Sequence, residues 1–235
     1  MKKFAILIIL LFPLSMFSQT GEHPIDVHFY PHALSPQDNL QDGPFGKKID
    51  IVADTFLIWV DQFPGMFFTH ETVYILIAKD IIRIERGGWW PVLNGKTILY
   101  NEQDKYALIS PFELPLLSES GTIGDKIEIH VYPHELTSSD WLADGQDGPM
   151  YLSGDNCLLL WADFMPGAFF AHATAYILIS RENIRIEHGS WWPILNGKRI
   201  LYGERNKTGI ISPFRVSDSG GFIEESDKKE NRIPR

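Results

Sequence analysis

Cysteine is nearly absent from this chain of 235 residues, in which Cys157 is the only one. A single cysteine excludes any disulfide within the chain, so stability must come from the burial of apolar side chains. Cys157 opens the apolar run C-L-L-L-W-A. This context predicts a small buried core residue and not a nucleophile.

Basic clusters and long apolar runs are also scarce. The chain has 21 Lys and Arg against 30 Asp and Glu, which gives a formal charge of −9. Binding of nucleic acid or of an anionic membrane surface draws on clustered Lys and Arg, so neither is an expected partner. After residue 18 no segment reaches the roughly 20 apolar residues that a membrane-spanning helix needs.

The one long apolar run lies at the N-terminus. Lys2 and Lys3 precede an apolar run from Phe4 to Phe17, and the small residue Ser18 follows it. This three-part pattern predicts a signal peptide over residues 1–18, with an uncleaved N-terminal anchor as the alternative. We therefore expect an exported protein, located in the periplasm or outside the cell.

Most of the chain consists of one unit that occurs twice. The segment from His70 to Phe112 recurs from His172 to Phe214 at a constant shift of 102 positions, and both contain I-R-I-E, W-W-P, L-N-G-K and I-S-P-F. A period this long predicts two similar domains and not a solenoid of short repeats. The predicted parts are a first β domain over 22–113, a linker over 114–124, a second β domain over 125–216, and a disordered charged tail over 217–235.

Hydrophobic patterning indicates strands. The segment I-D-V-H-F from Ile25 alternates with a period of two, which is typical of a strand with one buried face. The runs F-L-I-W-V and L-L-L-W-A are apolar throughout, as expected of strands buried on both faces. Asn94-Gly95 and Asn196-Gly197 each lie between two strand-like runs and predict hairpins with type I′ turns.

Each unit is also expected to contain one short helical turn. Ser35 can act as its N-cap with Asp38 three residues on, and Thr137 and Asp140 take the same places in the second unit. About 90 residues with several short strands predict a mainly β fold, a tandem duplication of a small antiparallel β-sandwich or partly open barrel. Such a unit buries only roughly 60 to 65% of its unfolded surface, so we expect the two units to pack on each other as a pseudo-dimer.

Three histidines recur at matching places in the two units. Three histidines per unit are a donor set for zinc or copper. In an extended strand His28 and His32 are roughly 13 Å apart, too far to share an ion unless the chain bends between them. The alternative is a set of hydrogen-bonded structural histidines. The metal candidates are His28, His32 and His70, with His130, His134 and His172 in the second unit.

The residue types of a hydrolytic triad are also repeated. Asp61, His70 and Ser110 have Asp163, His172 and Ser212 as counterparts. A triad requires spatial contact, and Ser110 lies in I-S-P-F and not on the sharp turn of a nucleophile elbow. Asp61, just before Pro64-Gly65, is interpreted as a turn residue. We therefore assign no catalytic residue and favour a protein that is not an enzyme.

Paired tryptophans are the most unusual feature of the sequence. Consecutive residues of a strand point to opposite faces, so at most one tryptophan of each pair enters the core. The other packs against the sister unit or the linker, or it offers a flat ring on which a sugar, peptide or other partner stacks. The ligand-binding candidates are Trp89, Trp90 and Tyr74, with Trp191, Trp192 and Tyr176 in the second unit.

Together these patterns favour an exported, non-enzymatic binding or interaction protein with two homologous β modules. Duplication supports this interpretation, because two weak sites on one chain gain affinity through effective concentration. Carbohydrate or protein is the expected ligand. The alternatives are a metal-binding protein or metal-dependent enzyme that uses the two histidine sets, and a structural envelope protein.

Overall fold

The computed structural model describes residues 24–98, 106–110, 112–117, 123–200, 208–212 and 214–216, except for 67, 80 and 155. The predicted signal peptide and charged tail lie outside these residues. Within the described part every regular element is a strand, which confirms the mainly β prediction. No helix in this part is long and apolar enough to cross a membrane.

The two copies contain matching series of ten strands. The first copy has β1 (Ile25–Phe29), β2 (Leu40–Asp42), β3 (Lys48–Ile49), β4 (Phe56–Asp61), β5 (Thr72–Ala78), β6 (Ile81–Gly87), β7 (Pro91–Leu93), β8 (Lys96–Thr97), β9 (Tyr106–Ser110) and β10 (Phe112–Leu117). The second copy has β11 (Ile123–Val131), β12 (Trp141–Asp144), β13 (Met150–Leu152), β14 (Leu158–Asp163), β15 (Thr174–Ile179), β16 (Ile184–Gly189), β17 (Pro193–Leu195), β18 (Lys198–Arg199), β19 (Thr208–Ser212) and β20 (Phe214–Val216).

These strands form open antiparallel sheets. Two of the sheets have five strands, in the orders β20-β1-β4-β5-β6 and β10-β11-β14-β15-β16. Each copy also contributes a four-stranded sheet, in the order β3-β2-β7-β8 or β13-β12-β17-β18. A two-stranded ribbon of β9 and β19 joins the copies. Each copy is thus an open pair of sheets and not a closed barrel.

The last strand of each copy completes the five-stranded sheet of the other. β20 pairs with β1, and β10 pairs with β11, both of which extend into the segment 114–124 that the sequence predicted to be a linker. In the ribbon Leu108 lies opposite Ile210, and these two positions are equivalent at the 102-residue shift. A pseudo-twofold axis therefore passes through this pair, as in a symmetric dimer fused into one chain.

The central core lies between the two five-stranded sheets. One face of the first sheet contributes Val27, Ile58 and Ile75, and the equivalent face of the second contributes residues such as Ile129 and Ile177, all fully buried. Fully burying each such side chain is worth roughly 1.5–3 kcal/mol. The two copies therefore share one core, and the stability of each depends on the other.

A separate outer core lies between the two sheets of each copy. In the first copy Trp59, Tyr74 and Leu76 of the five-stranded sheet pack with Leu40 and Leu93 of the four-stranded sheet. The second copy repeats this arrangement. Both faces of β4 and β14 are consequently buried, which confirms the prediction from their unbroken apolar runs.

The predicted hairpins are present in both copies. Asn94 and Gly95 have φ angles of 52° and 77°, and Asn196 and Gly197 have φ angles of 49° and 76°, as a type I′ turn requires. Leu93 pairs with Lys96 across the two-residue loop. The Asn94 side chain also accepts a hydrogen bond from the Asn39 backbone, which ties the hairpin to the segment before β2.

The expected helical segment is a single hydrogen-bonded turn. The Asp38 backbone N–H donates to the Ser35 carbonyl at 2.9 Å, and the Ser35 N–H donates to the Asp38 carboxylate at 2.6 Å. Hydrogen bonds from Asn94 and from the Ser35 backbone lower the pKa of Asp38. The predicted capping interaction is therefore present, but no helix follows it in the described chain because β2 begins two residues later.

Candidate functional site

Three loops of each copy come together at one end of its five-stranded sheet. We name this region the aromatic end; it comprises residues 43–47, 62–71 and 88–90, or 145–149, 164–173 and 190–192. The Gly43 N–H donates to the Trp90 carbonyl at 3.0 Å, and the His70 N–H donates to the Gly88 carbonyl at 3.1 Å. Backbone hydrogen bonds thus join the loops after β2, β4 and β6.

A carboxylate that is half-buried in the first copy and buried in the second organises this end. Asp42, the last residue of β2, accepts hydrogen bonds from the backbone N–H groups of Gly88 at 3.0 Å and Trp89 at 2.9 Å. It also accepts one from the Tyr74 hydroxyl at 2.9 Å. In the second copy Asp144 accepts from the Trp191 N–H at 2.8 Å in the same way.

The two tyrosines proposed as ligand contacts lie in the outer cores. Tyr74 and Tyr176 are fully buried, and the single O–H of each is shared between an aspartate and the backbone carbonyl of the first tryptophan. Burial, together with the nearby aspartate, raises the pKa of both hydroxyls far above the usual tyrosine value. They therefore stay protonated and act as internal donors beneath the site.

The paired tryptophans are partly buried and brace the loops. Gly43 has a φ of 71°, and a Cβ atom built on it would lie 2.5 Å from the Trp89 indole. Trp89 thus packs directly on the loop after β2. Trp90 packs against the outer core, and its Nε1 lies 3.4 Å from Asp61 Oδ2. The second copy repeats the glycine contact between Gly145 and Trp191.

A buried histidine–aspartate pair anchors the loop between β4 and β5. His70 Nε2 lies 2.9 Å from Asp61 Oδ1, and His70 Nδ1 lies 2.7 Å from the Phe68 carbonyl oxygen. His172 repeats these contacts with Asp163 at 2.8 Å and with the Phe170 carbonyl at 2.7 Å. Both ring nitrogens of each histidine therefore lie close to oxygen atoms of the protein.

The aspartates of these pairs are also turn residues, as the sequence predicted. Asp61 Oδ1 accepts the Phe63 backbone N–H at 2.9 Å, and Asp163 Oδ1 accepts the Met165 N–H at the same distance. Ser110 and Ser212 belong to β9 and β19, whose side chains lie outside the described part of the chain. The contacts therefore assign the aspartate and histidine to loop positioning.

The structure does not bring the three histidines of either copy together. His28 stacks on Trp59 with ring centroids 4.1 Å apart, and His32 lies edge-on to Tyr30. His130 and His134 make the same two contacts with Trp161 and Tyr132. Among the described residues no three His, Cys, Asp or Glu side chains form a group that could hold a metal ion.

Exposed phenylalanines are the feature of this end that the sequence analysis missed. Phe68 is 61% exposed, and its counterpart Phe170 is 62% exposed. Phe169 is exposed to 88% and Met165 to 51% in the second copy. The available signal was F-F between Pro-Gly and His in both copies. We name residues 62–71 and 164–173 the phenylalanine loops.

Charges beside the phenylalanine loops differ between the copies. In the first copy Arg86 pairs with Glu71, and Lys47 pairs with Glu85 at 2.9 Å. The second copy has His188 and Ala173 in place of the first pair. The shared features of the two sites are therefore the aromatic side chains and the network that holds them.

Fold and site together define a class, a duplicated all-β protein in which two open pairs of sheets share a core and each presents an aromatic end. Comparisons with protein-family models, with curated proteins and with solved structures find no match for this chain. A functional assignment therefore rests on the geometry of the site.

Proposed function

We propose that this chain is a non-enzymatic binding protein whose phenylalanine loops dock on apolar side chains of a partner protein. The observation that carries the proposal is the repeated exposure of Phe68 and Phe170 on loops that are held in place from within. Clusters of exposed apolar groups mark interaction sites in soluble proteins, and in the second copy Phe169 and Met165 are exposed on the same loop as Phe170.

The phenylalanine loops are held by hydrogen bonds on both sides of the exposed ring. In the first copy the Met66 N–H donates to the Phe63 carbonyl at 3.2 Å, and the His70 ring binds the Phe68 carbonyl. A loop that is already ordered loses little conformational entropy on binding. The exposed rings are therefore presented in a defined position, which supports a docking role.

The chemistry of this end favours a protein partner over a sugar. Sugar binding uses precisely placed polar groups beside the aromatic ring, whereas here Asp42, Asp61, His70 and Tyr74 hydrogen-bond within the loops. The large apolar side chains that are exposed at this end are phenylalanines, with Met165 in the second copy. Aromatic residues and methionine are enriched at protein–protein interfaces.

The same contacts argue against catalysis by the histidine–aspartate pairs. The side chains of His70 and Asp61 are only 4% and 0% exposed. The His70 ring makes its contacts within the protein, because Nδ1 faces the Phe68 carbonyl and Nε2 lies 2.9 Å from the Asp61 carboxylate. The pair supports a positioning role for the loop.

The test is selection of binding peptides from a phage-displayed random library on the chain without its signal peptide. Peptides are counter-selected against the Phe68→Ser/Phe170→Ser double variant. We expect selected peptides rich in apolar residues that bind the double variant about tenfold or more weakly, the size of a typical hot-spot loss. The matched control is Phe45→Ser, because Phe45 is 98% exposed at the same end but has Asp147 as its counterpart.

Three outcomes would overturn the proposal. Selected peptides could bind the double variant as tightly as the native chain. A glycan array could bind the native chain and lose that binding in Trp89→Ala. Phosphatidylcholine vesicles could bind the native chain but not the double variant, which would assign the rings to a lipid surface.

A further inference from the structure

The two phenylalanine loops lie near opposite ends of β15. The Arg181 guanidinium carbon sits 5.3 Å from the centre of the Phe63 ring, so the turn after β15 touches the phenylalanine loop of the first copy. The phenylalanine loop of the second copy precedes β15. The six residues of β15 separate these two points by roughly 20 Å, at about 3.3 Å per residue.

The pairing of the ribbon agrees with this arrangement. Leu108 and Ile210 face each other in an antiparallel pair, so equivalent strands run in opposite directions about the pseudo-twofold axis. The two five-stranded sheets share the central core between them. Arg181 follows β15 in the second sheet and lies beside the phenylalanine loop at one end of the first sheet. The equivalent ends of the two sheets therefore point away from each other.

We infer that the chain is a bivalent bridge, in which each phenylalanine loop binds its own partner molecule and the chain joins the two. The inference rests on the proposed binding function. Two sites reinforce each other on one ligand only if that ligand spans them, and effective concentration falls to nearly zero when it cannot. A partner that docks on one loop would have to pass along the whole sheet to reach the other.

Bridging changes the interpretation of the duplication. A single small ligand cannot reach both sites in this geometry, so the second site would add no affinity for it. The duplication therefore does not serve avidity toward one molecule. On surfaces that carry many copies of a partner, outward-facing sites link one surface to another. The charge of Glu71 at the end of the first loop, where the second has Ala173, predicts that the two sites bind one peptide with unequal affinity.

The stoichiometry of a selected peptide tests the number of sites. Calorimetric titration of the full chain with the free peptide is expected to give two peptides per chain, and one peptide per chain for Phe68→Ser and for Phe170→Ser. Peptide binding to neither loop would refute the proposed function itself. A single peptide per native chain would leave that function standing and would refute the bridge.

Agglutination tests the bridge directly. Latex beads coated with the same peptide should be agglutinated by the native chain, whereas each single-loop variant should bind the beads and leave them dispersed. Free peptide in excess should reverse the effect. Native chain that saturates the beads without agglutinating them would show that both loops engage one surface, and would overturn the inference.

Discussion

Removal of the Asp144 carboxylate should destabilise the aromatic end, and the hydrogen bonds that it loses determine the size of the effect. In Asp144→Ala the backbone N–H groups of Ser190 and Trp191 lose their acceptor, at 2.9 Å and 2.8 Å respectively. The Tyr176 hydroxyl keeps the Trp191 carbonyl as a partner at 2.8 Å. Two orphaned donors cost about 1–3 kcal/mol each, toward the lower end where water reaches the turn.

The expected loss is therefore about 3 kcal/mol, which corresponds to roughly 6–12 °C in Tm for a chain of this size. Urea denaturation followed by tryptophan fluorescence measures it, since Trp191 lies at the altered turn. The matched control is Asp147→Ala, three residues on in the same loop but exposed, which should change stability by less than about 0.5 kcal/mol. Equal losses in the two variants would refute a structural role for the Asp144 carboxylate.

Three further perturbations test other parts of the structure. His172→Ala leaves the buried Asp163 carboxylate without its hydrogen-bond partner, so urea denaturation should show a loss of about 3 kcal/mol, against little change for the exposed His188→Ala. Burial raises the pKa of the Cys157 thiol to about 12, so a disulfide reagent at about pH 8 should react only after denaturation; reaction with the native chain would contradict the buried placement. Truncation from residue 214 removes β20, so hydrogen exchange should accelerate in β1 of the first copy, while truncation from residue 217 should leave β1 protected.

Local features of the fold could be predicted from the sequence because neighbouring residues determine them. Asn94 and Gly95 accept positive φ wherever they stand between strands. The run from Phe56 needs only its composition to indicate a strand buried on both faces. The capping pattern of Ser35 and Asp38 was also real, but Leu40 is fully buried in β2 and pairs with Leu93, so the chain extends directly after the turn.

Non-local features could not be predicted in the same way. Both β10 and β20 begin at the phenylalanine of the repeated I-S-P-F motif, so the local pattern does not state which copy each last strand completes. Gly43, which is far from Trp89 in the sequence, packs against the Trp89 ring. The sequence therefore predicted tryptophans that are more accessible to a ligand than those of the structure. The exposure of Phe68 depends on where its loop leaves the sheet, and an F-F pair alone favours burial.

The outer face and the central face of each five-stranded sheet are under different constraints. The outer face carries Thr72 and Tyr74, which hold the aromatic end, and its counterparts Thr174 and Tyr176 are identical. The central face has changed between the copies: Val60, Gln62 and Val73 of the first copy correspond to Ala162, Phe164 and Ala175 of the second. Phe164 belongs to the central core, so its ring offsets the methyl groups that the two alanines lack. The central core requires that the side chains of both copies together fill its volume, so the two halves could diverge within one chain. Each outer face, by contrast, must build its own loop network and has kept the residues that do so.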